Sequence, residues 1–112
     1  MKLSLHRAEE FNADFDQQYR WYLDEGGEIL AERFLDAVRA TLQSLAAQPD
    51  LGRRRKFRHP ALRELRSFRV EPPFHQRLIF YRVTSDTLEA WRLMHGAGDL
   101  PRRLVEPPGS MD

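Results

Sequence analysis

The sequence predicts a single α+β domain of two layers, with an N-terminal strand and an antiparallel helical hairpin packed on a small antiparallel sheet. Three observations carry that expectation. Apolar residues recur every three or four positions between Ala8 and Leu45, which is the period of a helix face. Between Leu65 and Met94 they gather instead into three short runs separated by turn residues. The connections between those runs are too short for parallel neighbours, so adjacent strands must be antiparallel. With 112 residues, 41% of them hydrophobic, the chain suffices for one core and not for two.

Leu3 and Leu5 alternate with Ser4 and His6, as in a short opening strand with one apolar side. From Ala8 the stripe Ala8, Phe11, Phe15, Tyr19 and Tyr22 marks a first helix, with Glu9, Glu10, Asp14, Asp16 and Gln18 on the opposite side. Glu9 and Glu10 suit the positive end of a helix dipole, whereas Arg7 is a poor capping residue. Gly26-Gly27 ends this helix, since glycine readily takes the backbone conformation that closes one. Leu30, Phe34, Val38, Leu42 and Leu45 form the stripe of a second helix over 28–47, which the Gln48-Pro49-Asp50-Leu51-Gly52 segment stops.

Strands are expected over Leu65–Val70, Arg77–Val83 and Leu88–Met94, broken by Pro72-Pro73 and by Thr84-Ser85-Asp86-Thr87. Proline cannot donate to a ladder, and Ser, Asp and Thr side chains satisfy a turning backbone. The middle strand is apolar on both parities and must be covered on both faces. A helical layer accounts for one face, and a partner chain is a candidate cover for the other. Past Leu100 the segment has three prolines and no period. The expected domain therefore spans residues 1–104, with a mobile tail over 105–112.

Composition narrows the chemistry. The chain has no cysteine, which removes disulfides, a thiolate nucleophile and cysteine-ligated zinc. No apolar run is long enough for a signal peptide or a membrane span, so the expected protein is soluble, cytoplasmic and without membrane contact. The net charge of +1 hides a division along the chain. Residues 1–50 carry 5 basic and 10 acidic side chains, net −5, while residues 51–112 carry 13 and 7, net +6. Arg53, Arg54, Arg55, Lys56, Arg58, Arg63, Arg66 and Arg69 face the single acid Glu64 within residues 51–70. Such a field attracts nucleic acid or an acidic protein segment, unless the arginines pair with the acidic helices of their own chain.

His6, His59, His75 and His95 are scattered and form no metal-ligand motif, so no metal and no cofactor are expected. Gly96-Ala97-Gly98 lacks the strand, helix and third glycine of a dinucleotide fingerprint. The candidate binding residues are Arg63, Arg66, Arg69, Arg77, Arg82 and Arg92, because guanidinium groups hold carboxylates or phosphates. His95, at the end of the last strand, is the candidate general acid or base if the arginines form the cradle of a metal-free ribonuclease. The alternative for His95 is a side chain that ties down the turn at Gly96.

In order along the chain come Arg33-Phe34-Leu35, the Pro49-to-Gly52 stop, Leu65-Arg66-Ser67-Phe68-Arg69-Val70, Ile79-Phe80-Tyr81-Arg82-Val83, and His95-Gly96-Ala97-Gly98-Asp99-Leu100. This order and spacing resembles the RelE/ParE toxin superfamily over residues 3–100, and is most similar to its ParE, or plasmid stabilisation, branch. One departure is Gly98, which stands where the family's closing motif carries an arginine. The resemblance implies the toxin of a type II toxin–antitoxin pair, neutralised by a small acidic ParD-like antitoxin. It also implies inhibition of DNA gyrase through protein contact. For the RelE branch it implies cleavage of mRNA on the ribosome. A toxin-derived module that keeps only binding is the third reading. A homodimer or a toxin–antitoxin heterotetramer would suit any of these.

Overall fold

The computed structural model describes residues 2–96 and 100–108. One long helical segment, α1 (Glu9–Ala47), lies against a five-stranded sheet of β1 (Ser4–Arg7), β2 (Arg53–Arg54), β3 (Arg66–Arg69), β4 (Arg77–Thr84) and β5 (Thr87–His95). A short helix, α2 (Leu100–Val105), follows the sheet. Gly27, at φ 87° and ψ 178°, breaks α1 into arms 9–26 and 28–47. That φ is open to glycine and strained for other residues. A straight helix of 39 residues would be about 58 Å long, yet the longest dimension of the molecule is 38 Å. The arms fold back on each other. Phe15 stacks on Phe34 at 5.5 Å, and Tyr22 meets the same ring at 4.6 Å. The expected hairpin is present.

The sheet order is β1-β5-β4-β3-β2. Pairing is antiparallel except between β1 and β5, which run parallel from Ser4 beside Thr87 to Arg7 beside Ala90. The sheet is therefore mixed rather than purely antiparallel: the hairpin and three further strands separate β1 from its neighbour, so no tight turn dictates their relative direction. The Ala8 N–H bonds to the Ala90 carbonyl at 2.9 Å, and no side chain caps the helix start. Strand pairing thus sets where α1 begins, in place of the missing Ser or Thr cap.

One face of the sheet carries the larger core. Phe11, Phe34, Val38, Leu42 and Leu45 of α1 pack on Ile79, Tyr81, Leu88, Ala90 and Leu93. The other face of β4, with Leu78 and Phe80, is covered by Leu62, Leu65, Leu104 and Phe57 of the same chain. No partner chain is needed to bury the middle strand. The expectation of an aperiodic segment after Leu100 also changes, because α2 places Leu104 in this second core at 1% exposure. Of the expected tail over 105–112, Val105 closes α2, and residues 109–112 lie outside the described residues.

A β-bulge reorganises the end of β5. Phe80 pairs with Arg92 but Tyr81 pairs with Ala90, so Trp91 is an extra residue and the parity reverses beyond it. Leu93 then faces α1. Since β1 stops beside Ala90, the outer edge of β5 beyond that point has no strand neighbour, and α1 side chains take its place. The Asp14 carboxylate accepts from the Leu93 N–H at 3.0 Å, and the Gln18 amide donates to the Leu93 carbonyl at 2.7 Å. Asp14 also accepts two bonds from Arg92, from Nε at 2.7 Å and from the second guanidinium nitrogen at 3.0 Å, with both residues 4% exposed.

Asp14→Ala leaves the Arg92 guanidinium buried without its counter-ion and strands the Leu93 N–H. A buried pair broken on one side is destabilised by about 3–5 kcal/mol, and the urea midpoint should fall accordingly. A loss below about 1 kcal/mol would equate this pair with an exposed one.

Candidate functional site

The arginines named from the sequence do not converge on one place. Arg92 is interior: besides Asp14, it donates to the Leu104 carbonyl at 3.0 Å and the Glu106 carbonyl at 2.7 Å. It holds the fold and presents no binding surface. The bulge at Trp91, which the sequence pattern does not reveal, turns it from the α1 side to the face bearing Phe80, where Leu104 lies. Arg77 lies on the helix side, with Nε donating to the Tyr22 hydroxyl at 3.3 Å and its guanidinium over the Tyr22 and Trp21 rings at 5.4 and 5.9 Å. Arg82 sits on the opposite face, over Trp91 at 5.3 Å, and donates to the Ala61 carbonyl at 2.7 Å. Arg63 is exposed after the 3-10 turn at Pro60–Leu62.

Arg66 and Arg69 flank the remaining pair of structures. Arg66 donates to the Gly52 carbonyl at 2.8 Å and approaches Asp50 at 3.4 Å. Asp50 is almost fully exposed, so this ion pair is a weak one. The turn it joins is set from the core. Tyr81 is buried in β4, yet its hydroxyl accepts from the Gly52 N–H at 2.8 Å and donates to the Pro49 carbonyl at 2.6 Å. A Cβ on Gly52 would collide with that hydroxyl. Glycine is therefore required here by close approach, which explains the spacing of the Pro49-to-Gly52 stop. Burial, the largest effect, raises the Tyr81 pKa above its ordinary 10.0, against the lowering effects of the Gly52 bond and of Arg66.

Beyond Gly52 the chain forms only two residues of strand, Arg53 beside Ser67 and Arg54 beside Arg66. Next to this stub a groove of about 620 Å³ opens, with Arg53, Arg55, Arg69, Glu71, His75 and Leu78 among its lining residues. Arg55 Nε donates to the Ser67 hydroxyl at 2.8 Å, and its guanidinium lies 5.7 Å from the Phe80 ring centre. Arg69 donates to the His75 carbonyl at 2.8 Å. The Arg55 pKa is lowered, first by burial and then by the charges of Arg53 and Arg69. Three guanidinium groups thus repel one another around one opening, and an anion placed there relieves that repulsion.

Arg53 and Arg55 were absent from the candidates named above, although the Arg53-Arg54-Arg55-Lys56 run contains them. Alternation was the available signal, because two residues apart on an extended segment share a side. His95 does not line this groove. It pairs with Arg77 across the sheet, and its carbonyl accepts from Arg103 at 3.4 Å. The Gly96 N–H donates to the Gln76 carbonyl at 3.0 Å. Gly98, the departure in the closing motif, lies outside the described residues. Among the described residues no cluster of His, Cys, Asp and Glu suits a metal ion, and no helix is long and apolar enough to cross a membrane.

A bent helical hairpin on a five-stranded mixed sheet is the RelE/ParE-like fold. Within that class the chain belongs to the ParE family: residues 5–100 match the family described as the ParE toxin of the type II toxin-antitoxin system, parDE. Among solved structures it is similar to one titled as the chromosomal ParDE system from P. aeruginosa. That likeness has a TM-score of 0.69 and 19% identity over 86% of this chain and 98% of the other. A copper-bound mutant toxin from Helicobacter pylori aligns at a TM-score of 0.49 and 22% identity, over 83% and 93% of the two chains. Comparison with curated proteins finds no match.

Tyr81→Phe should cost about 1–3 kcal/mol, because the Gly52 N–H and the Pro49 carbonyl both lose a buried partner. The raised pKa means the phenol's contribution is complete below pH 10.0 and is lost as pH climbs through the higher folded value. The stability gap between wild type and Y81F, followed by chemical denaturation, should therefore narrow in alkali. A gap independent of pH would contradict this role for the hydroxyl.

Proposed function

We propose that this chain is a toxin that acts by binding, with DNA gyrase as its target, and that a small acidic ParD-like antitoxin neutralises it. The observation that carries this reading is membership of the ParE family across residues 5–100. The surface chemistry supports the acidic partner, since Arg53, Arg55 and Arg69 surround one groove and carboxylates complement them. Arg63, Arg66, Arg77 and Arg82 are secondary contacts at different places on the surface, and Arg92 is excluded by its burial.

One observation favours a second reading. His75 and Glu71 share the groove with the three arginines, so a titratable pair stands beside groups that can hold a phosphodiester. A RelE-like endoribonuclease would use that pair rather than His95. Purified protein should inhibit gyrase supercoiling and leave reporter mRNA intact in a ribosome-containing cleavage assay. Codon-phased cuts by primer extension, without gyrase inhibition, would replace the first reading with the second.

His95→Gln tests a role for His95 directly. Its imidazole makes no hydrogen bond among the described contacts, so the change should alter stability by no more than about 0.5 kcal/mol. Growth arrest on induction should persist. Abolished arrest with unchanged thermal stability would restore His95 as a functional residue.

A further inference from the structure

We infer that a crevice between the two arms of α1, at the C-terminal end of β1, binds a small amphiphilic monoanion, with one carboxylate on a short apolar body. This site is separate from the groove beside β3 and rests on neither the antitoxin nor the gyrase reading. Its volume is about 310 Å³. Phe11 and Phe15 are four residues apart on the first arm, and Leu35 and Arg39 on the second, so each pair shares a helix face. Phe11 and Val38 are buried, and Phe15 and Leu35 are half-buried, which gives the crevice apolar walls. Arg7 reaches the same opening from β1. Leu3 and Leu5 pack against the α1 core, and Arg7 shares their parity along the chain.

The rim of this crevice is cationic, although the outer faces of α1 are acidic. Arg7, Asn12 and Arg39 are exposed, and their side chains make no hydrogen bond or ion pair among the described residues. Two guanidinium groups without a counter-ion at one opening attract an anion, and a carboxylate matches their fork. The Asn12 amide adds a neutral donor beside them. Glu10, Asp16 and Asp36 adjoin lining residues in the sequence, yet none of them lines the crevice. They repel a second negative charge, which favours a monoanion over a phosphate dianion. The apolar walls take the rest of the ligand out of water. Pockets for small ligands begin at roughly 300 Å³. At about 30 Å³ for each non-hydrogen atom, the share of one molecule in liquid water, the space holds about ten such atoms. That is the size of octanoate.

The probe is octanoate, titrated into the full chain at neutral pH and followed by calorimetry and by amide and ring-proton NMR. Shifts should centre on Phe11, Asn12, Phe15, Leu35 and Arg39, with a dissociation constant on the order of 0.1–1 mM for a ligand of this size. Octanol lacks the charge and butyrate lacks most of the apolar body, so each should bind at least tenfold more weakly. Arg7→Gln with Arg39→Gln should also weaken octanoate at least tenfold. Arg20→Gln, at an exposed arginine of the first arm that does not line the crevice, should change it less than twofold. The comparison of ligands needs no altered protein, so it decides the question even if the double variant fails to fold. No binding of octanoate, or equal binding of octanol, overturns the inference. Shifts centred on Arg53, Arg55 and Arg69 also overturn it, as does undiminished binding to a folded double variant. Sedimentation of the chain with phosphatidylglycerol vesicles, lost in the double variant, would replace the free ligand with a membrane surface and overturn it too.

Discussion

The pairing of Asp14 with Arg92 is the contact on which the arrangement of layers depends. It joins the first arm of α1, the bulged end of β5 and the backbone of the C-terminal segment in one buried cluster. Removing two charges from water is unfavourable unless geometry and further hydrogen bonds compensate. Here the guanidinium meets the carboxylate through two parallel bonds and two carbonyls through a third nitrogen, while the carboxylate also accepts a main-chain N–H. Few donors or acceptors are left unmet. The pair consequently specifies position: α1 can slide neither along β5 nor away from it without exposing an ion to an apolar neighbourhood.

The same cluster decides which parts of the second face are closed. By holding the Leu104 and Glu106 carbonyls, Arg92 keeps α2 over Leu78, Phe80 and Met94. The cover stops there. At the opposite edge of the sheet β2 is only two residues long, and among the described residues none of 100–108 lines the groove. One end of that face is thus a packed core and the other an opening rimmed by cations. The charge division along the sequence becomes a spatial one, with acidic residues on the outer faces of α1 and arginines around β2 and β3.

Most of the architecture was legible because it rests on local periodicity. The stripe from Phe11 to Leu45, the Gly26-Gly27 break and the three runs before Met94 each needed only neighbouring residues to be read. What escaped depended on contacts distant in sequence. The bulge at Trp91 inverts the parity of β5 and moves Arg92 from the α1 side to the face bearing Phe80 and Leu104, yet nothing in Leu88 to Met94 marks the register of the partner strand. Leu104 alone is no periodic signal, so α2 was invisible until the apolar face it covers was in place. The parallel pairing of β1 likewise depends on a neighbour some eighty residues away. For the site, the basic run was evident. Which of its members share an opening depended on where β2 ends.

That ending is itself dictated from the interior. Tyr81 belongs to the core strand, and its ring packs among the residues beneath α1. Its hydroxyl nevertheless reaches the Pro49 carbonyl and the Gly52 N–H, bending the chain into the turn that takes Leu51 out of the ladder beside β3. Had the chain continued straight through residues 49–52, Arg69 would have a strand partner and the groove would be filled by its own backbone. A phenol buried for packing thus also determines how much of the sheet edge is left open. The constraint runs in both directions. Gly52 has no room for a side chain while Tyr81 is present, and Tyr81 has no satisfied hydroxyl without the turn. The two therefore form a single device, and the length of the open edge is as firmly specified as the core that produces it.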